Sequence, residues 1–277
     1  MLLGYNTNGL AHHDPFQAVE LLANIGYRSV ALTLDHGPLN PFEHGFADQL
    51  RKMYRLLNRL GMRNVIETGA RYLLDPRAKH EPTLVSPDPA ARQRRIDFLS
   101  RAVDAARELG SDCVSLWSGV VHDRAHEGIL WQRLENSLAQ VVDYAASRYV
   151  AIGFEPEPGM FIDTMARHDE LCRRLGDRGL RLTLDVGHLH CQGELPLTRY
   201  VERYGGHLVN VHIEDMRAGV LEHLMFGEGE IDFGPVMQAL RDVRYEGGVH
   251  VELSRHSHAG PQAARQAFEF LSPFMAT

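Results

Sequence analysis

The sequence predicts a single-domain (β/α)₈ barrel, an α/β fold, and three observations carry that expectation. Short β-branched or apolar runs alternate with longer amphipathic stretches along the whole chain, the pattern of βα units and a parallel sheet. Eight such units can be counted. The chain has 277 residues, 44% of them apolar, which suits one large core, since a closed barrel of this kind uses about 250 residues. No linker, low-complexity tract or charge block divides residues 1–277, so an open doubly wound sheet with a second domain has nowhere to place its boundary.

The strands are expected at Leu2 to Asn6, Ser29 to Leu34, Asn64 to Glu67, Cys113 to Trp117, Val150 to Glu155, Arg181 to Asp185, Leu208 to His212 and Val249 to Leu253. Each is long enough for one stave. Among the helices, Asp88 to Leu109 repeats Ile96, Leu99, Val103, Ala106 and Leu109 at three- and four-residue steps, an apolar stripe that would face a sheet. Asp14-Pro15 and Asp88-Pro89 supply an N-cap followed by proline in the first turn. Gly26, Gly61 and Gly110 stand where helices should stop before the next strand. The loops from Asp35 to Gly45, Gly69 to Pro87 and Gly119 to Gly128 exceed ordinary βα connections and are expected to cover the barrel mouth.

In this fold chemistry sits where strands run out at their C-terminal ends. The last four strands end in Glu155-Pro-Glu157, Asp185-Val-Gly-His188, His212-Ile-Glu-Asp215 and Glu252-Leu-Ser-Arg255. A single carboxylate there would more often be a helix cap or an ion-pair partner. Four polar residues in register, each following an apolar strand, would be desolvated and would repel one another without a cation. Glu155, Asp185, His212 and Glu252 are therefore the expected ligands of one divalent metal ion. Three carboxylates and one imidazole suit Mn²⁺, Mg²⁺, Co²⁺ or Fe²⁺, with Zn²⁺ also admissible and Mn²⁺ preferred.

Composition excludes other classes. The net charge of −7 is spread with basic residues interleaved, leaving no broad electropositive face for nucleic acid. Three cysteines, Cys113, Cys172 and Cys191, form no metal spacing and no disulfide framework. With no signal-like N-terminus and no apolar stretch of about 20 residues, a cytoplasmic protein without a membrane partner is expected. Lys52 and Lys79 are the only lysines, which argues against a Schiff base.

Phe-Glu155-Pro, Leu-Asp185-Val-Gly-His188, Asn-Val-His212-Ile-Glu-Asp215, His223-Leu-Met-Phe-Gly227-Glu228-Gly229-Glu-Ile-Asp232 and His250-Val-Glu252 resemble the xylose isomerase-like superfamily of TIM barrels. That group includes ketose 3-epimerases, hydroxypyruvate isomerases, inosose dehydratases and, more distantly, endonuclease IV. Similarity to the ketose 3-epimerases implies the same four metal ligands, with His188 and Arg217 contacting substrate oxygens. Glu157, Asp215 and His223 are expected close to the ligands without touching the ion. The endonuclease IV pattern departs: where it has histidines after the second and third strands, this chain has Asp35-His36 and Glu67, and Leu221-Glu222-His223 lacks the aspartate of its Asp-x-His pair. Hydride transfer as in xylose isomerase itself would need a lysine near the fifth strand, and none is there.

The mechanism expected is proton transfer. A metal-chelated α-hydroxy carbonyl would form an enediolate, with catalytic Glu155 and Glu252 above opposite faces to remove and return the proton. Return to the same carbon gives epimerisation and return to its neighbour gives isomerisation. The same pair allows a dehydratase (lyase) acting on an inosose or a dehydroshikimate-like ring. A phosphodiesterase and a non-catalytic sugar-binding barrel are weaker alternatives, as is a glycosidase, which would place its carboxylates on strands four and seven, where Trp117 and His212 stand. The substrate is expected to be a sugar, cyclitol or hydroxy-keto acid, and the assembly a homodimer or homotetramer. Trp117, Phe161, His13 and His36 are candidates for an apolar wall against a sugar face.

Overall fold

In the computed structural model, which describes residues 1–275, eight parallel strands close into a barrel. Its staves are β1 (Leu2–Asn6), β2 (Ser29–Thr33), β3 (Arg63–Glu67), β4 (Val114–Leu116), β5 (Ile152–Phe154), β6 (Arg181–Asp185), β7 (Leu208–Ile213) and β10 (Gly248–Val251). They run around the ring as β1-β10-β7-β6-β5-β4-β3-β2. Outside them lie α1 (Pro15–Ile25), α2 (Phe46–Leu60), α3 (Pro89–Leu109), α4 (Glu127–Ser147), α5 (Met165–Leu175), α7 (Leu197–Tyr204), α8 (Phe233–Asp242) and α9 (Gly260–Met275). The short α6 (Val186–Cys191) follows β6 directly.

The helix signals act as expected. Asp14 accepts from the amides of Phe16 and Gln17, and Asp88 from that of Ala90, each beside a proline in the first turn. The chain leaves α2 and α3 through Gly61 and Gly110 in the left-handed region, at φ +62° each. β4 and β5 are shorter than the apolar runs that contain them, yet the Glu155 amide still donates to the Leu116 carbonyl at 2.8 Å and keeps the ladder in register.

One element has no counterpart in the expected unit pattern. Between β7 and α8 an antiparallel hairpin forms from β8 (Asp215–Arg217) and β9 (Val220–Leu224), turning at Ala218-Gly219 with Gly219 at φ +71°.

Alternation decides what enters the barrel, because successive side chains of a strand point to opposite faces. Ala31, Val65 and Cys113 form a small buried cluster, joined by Ala151 and Val209. Nearby the interior turns polar. His250 faces Asn210 (Nδ1 to Oδ1, 2.7 Å) and Ser29 (Nε2 to Oγ, 2.8 Å). Its imidazole fills space that Gly4 and Gly248 leave open; a Cβ at either would lie within 2.3 Å of the ring.

Three long loops follow β2, β3 and β4 at the mouth, as their lengths predict. The β3–α3 loop is pinned from beneath by Arg95, fully buried on α3, which donates to the carbonyls of Thr68, His80 and Pro82 and lies 4.8 Å over the Trp117 ring. Burial lowers the Arg95 guanidinium to about 9. Trp117 is thus held by Arg95, and Phe161 packs edge-on against Trp131 at 5.0 Å.

Candidate metal centre

Asp185 and His212 are register partners on β6 and β7, and His212 and His250 on β7 and β10, so the polar strand ends stand at one level. Glu155 and Glu252 follow β5 and β10, which are three steps apart around the ring of eight, close to opposite. Every one of the four predicted ligands reaches the centre: Glu155, Asp185, His212 and Glu252 each offer one atom, all within 4.8 Å of one another.

His212 Nδ1 is the focus. It lies 2.9 Å from Glu252 Oε2, 3.1 Å from Glu155 Oε1 and 3.8 Å from Asp185 Oδ2. Its Nε2 is 2.9 Å from Glu67 Oε1, and Asn210 donates to that same oxygen at 3.0 Å. An Nε2–H held by Glu67 leaves the Nδ1 lone pair free for an ion, the arrangement by which a carboxylate behind a histidine fixes its tautomer. Asp185 divides its two oxygens: Oδ1 caps α6 by accepting from the His188 amide at 2.7 Å, and buried Oδ2 has no hydrogen-bond partner. Glu252 is steadied by Asn8, which donates to Oε1 at 2.7 Å.

Electrostatics separates the carboxylates. Burial pushes Glu155 up to about 8, against the pull of His212. Glu157 also rises to about 8 by burial. Burial opposes ionisation of Glu252 as well, but His212, His223 and His188 outweigh it and hold that carboxyl below its ordinary value. Burial would lower His212 and His188; the surrounding carboxylates raise both instead. Three carboxylates that converge on one imidazole nitrogen, with an unpartnered oxygen among them, fit a hard divalent ion, and no thiolate is among the ligands.

The family model for the xylose isomerase-like TIM barrel matches residues 19–274. The chain belongs to the xylose isomerase-like TIM barrel family. The L-ribulose-5-phosphate 3-epimerase UlaE of Shigella flexneri is 24% identical over 209 residues, 75% of this chain and 73% of that protein. Among solved structures, the 3-keto-D-glucoside 4-epimerase YcjR of E. coli superposes with a TM-score of 0.79 at 16% identity, covering 99% of both chains. The D-psicose 3-epimerase of Clostridium cellulolyticum, solved with D-tagatose, does so at 0.77 with 17% identity, again over 99% of both.

Within this member of the xylose isomerase-like family the remaining expected site residues have distinct places. His188 is buried with its Nδ1 3.5 Å from Glu155 and its Nε2 3.8 Å from Glu157, both nitrogens without a hydrogen-bond partner. His223, on β9, lies 3.8 Å from Glu214 and stands edge-on to His188. Asp215 does not face the ligands; it accepts from the amides of Gly227, Gly229 and Ile231 and so anchors the loop after β9. Arg217 is not brought to the centre: exposed on β8, it donates to the Glu228 carbonyl at 2.9 Å. His13 and His36, with Asn8, Asp35 and Arg71, line a separate cavity of about 60 Å³ beside the mouth.

Glu67, Asn8, Asn210 and Glu214 belong to the site and were not singled out from the sequence. The period-2 rule holds the signal for two of them, since Asn210, His212 and Glu214 fall on one face of one strand and its continuation. Glu214 is fully buried, and burial beside Asp185 raises its carboxyl well above the ordinary range.

Proposed function

We propose that this chain is a divalent-metal-dependent sugar epimerase or isomerase that moves a proton between Glu155 and Glu252. The observation that carries the reading is the convergence of Glu155, Asp185 and Glu252 on Nδ1 of His212 from strands around the mouth. The epimerase names of the relatives agree with it.

Glu155, Asp185, His212 and Glu252 would hold the ion, with Mn²⁺ preferred. When bound, the ion supplies Lewis-acid stabilisation of negative charge on the oxygens of an α-hydroxy carbonyl. The protein does the rest. Glu155 and Glu252, nearly opposite one another, flank the reacting carbon so that one takes its proton and the other returns one to the other face, which inverts that carbon. His188, set between Glu155 and Glu157, donates to a substrate oxygen, and Arg217 would join it only by leaving Glu228. The cavity lined by Asn8, His13, His36 and Arg71 takes the end of a small sugar, cyclitol or hydroxy-keto acid away from the reacting carbon.

The test is a substrate panel of ketoses, keto-inositols and hydroxypyruvate, offered to metal-stripped and Mn²⁺-reconstituted protein, with products resolved by chromatography. Epimeric or isomeric products that require the ion support the reading. Loss of water from a cyclitol, or no turnover of any compound by metal-loaded protein, contradicts it.

A further inference from the structure

In the cavity beside the mouth some polar atoms are already committed and others are free. Its walls come from the segments after β1 and β2, which follow β10 around the ring, so it lies on the Glu252 side of the centre. Asn8 belongs to both places: it lines the cavity and donates through Nδ2 to Glu252 Oε1 at 2.7 Å. A carboxylate only accepts, so this contact fixes the amide with its nitrogen toward Glu252 and its oxygen turned away. That oxygen, Asn8 Oδ1, is buried without a partner, and so is Nδ1 of His13 in the same walls. Thr7 is committed, since its Oγ1 donates to the Ala31 carbonyl at 3.2 Å and accepts from the Thr33 amide at 2.9 Å.

The charges in these walls are matched as well. Asp35 Oδ2 accepts from Arg71 Nε at 2.8 Å and from Nη2 at 2.7 Å, while Oδ1 accepts from the His36 amide at 2.8 Å. The Asp35 side chain is only 14% exposed, which limits how far water screens it. An anion drawn to Arg71 has to share the guanidinium with Asp35 and stand beside a like charge. Asn8 Oδ1 adds a second obstacle. An acceptor offers an anionic oxygen no hydrogen bond, whereas a hydroxyl can donate to it. Leu10 and Leu39 supply apolar surface for the carbon–hydrogen side of such a group.

We propose that the cavity receives an uncharged polyol end of the substrate, with Asn8 Oδ1 accepting from one of its hydroxyls, and that Asp35, by holding Arg71, excludes a phosphate or carboxylate from that end. Asp35 is then a specificity-determining residue, outside the metal centre and outside the proton transfer. The inference rests on the epimerase reading for placing the reacting carbon between Glu155 and Glu252, and it narrows that reading to free sugars and cyclitols.

Two pairs of probes test it. Mn²⁺-loaded full-length protein is offered ketopentoses and ketohexoses as free sugars and as their terminal phosphate esters. It is also titrated calorimetrically with an alditol and with that alditol's terminal phosphate, neither of which has a carbonyl to react. Both kcat/KM for the free sugar and affinity for the alditol should exceed those for the phosphate by about tenfold or more. Asp35→Asn, with its fold checked by circular dichroism, releases Arg71 and should shrink both ratios severalfold; if that variant misfolds, the wild-type ratios decide alone. A phosphate bound or turned over as well as its free counterpart, ratios unchanged in folded Asp35→Asn, or no binding of either alditol overturns the inference. Discrimination between the alditols with no sugar of either kind turned over supports the cavity's preference and overturns the epimerase reading instead.

Discussion

Asp185 does two jobs with two oxygens, one capping α6 and one aimed bare at His212. Residues at this scale set what the site can do. If Glu155 and Glu252 exchange the proton, Glu155→Gln and Glu252→Gln should each lower kcat by about 10²–10⁴-fold, the usual worth of a positioned acid or base. Steady-state kinetics on the accepted substrate measures this, alongside metal content, which at least one variant should keep. Glu67 acts one step further out. With Glu67→Gln the acceptor behind His212 Nε2 loses its charge, and metal affinity should fall about 10–100-fold while the circular dichroism spectrum stays as in wild type. Chelator competition gives that affinity, and an unchanged value would remove Glu67 from the account.

Buried histidines also link residues to acid stability. His168, on α5 against Phe154 and Tyr204, is lowered by burial to about 4. It is neutral when folded, whereas an unfolded histidine titrates near 6.5. Between those values the unfolded chain binds more protons, so this contribution is fully present above about pH 6.5 and is lost as pH falls toward 4. About 2 kcal/mol should go between pH 7 and pH 5 from His168 alone. Urea unfolding of metal-stripped wild type and His168→Phe at both pH values checks it: the variant should lose less stability across the interval, and equal losses would contradict the assignment.

At the scale of elements, the hairpin of β8 and β9 turns the chain so that His223 comes back over His188, and Asp215 ties the following loop beneath it. Asp215→Ala would strand the amides of Gly227, Gly229 and Ile231. Only the Ile231 amide is buried, the Gly227 and Gly229 amides being able to turn to water, so at about 1–3 kcal/mol for one buried group left unsatisfied a Tm drop of roughly 2–10 °C is expected by calorimetry. This hairpin was the hardest element to read in the sequence. Asp215–Arg217 is too short and too charged to register as a strand, and its one cue was the Ala218-Gly219 turn. The barrel strands were legible because each is an apolar run that ends in a polar residue, as at Leu184-Asp185 and Val251-Glu252. Asn210 shares a strand face with His212 and could have been found by alternation alone. Glu67 was obscured for the opposite reason: its importance lies in facing His212, which becomes visible only when β3 and β7 are placed across one interior.

At the scale of the whole molecule, closing the ring makes the site. No single unit contains it: Asn8 follows β1, Glu67 ends β3, Glu155 follows β5, Asp185 ends β6, His212 lies on β7 and Glu252 follows β10. The three cysteines are free, and no helix among the described residues is long and apolar enough to cross a membrane. Strand ladders and the apolar core between strands and helices hold the barrel.

In the proposed reaction Glu155 and Glu252 remove and return a proton at one carbon, with the metal ion required. Its most direct test is solvent deuterium incorporation into a ketose turned over by Mn²⁺-loaded protein in D₂O, followed by NMR. Deuterium is expected at the inverted carbon of product, dependent on the ion, with loss of turnover in both Glu→Gln variants. Turnover with that hydrogen retained in H-to-D solvent exchange, or equal turnover by wild type and both variants, would contradict it.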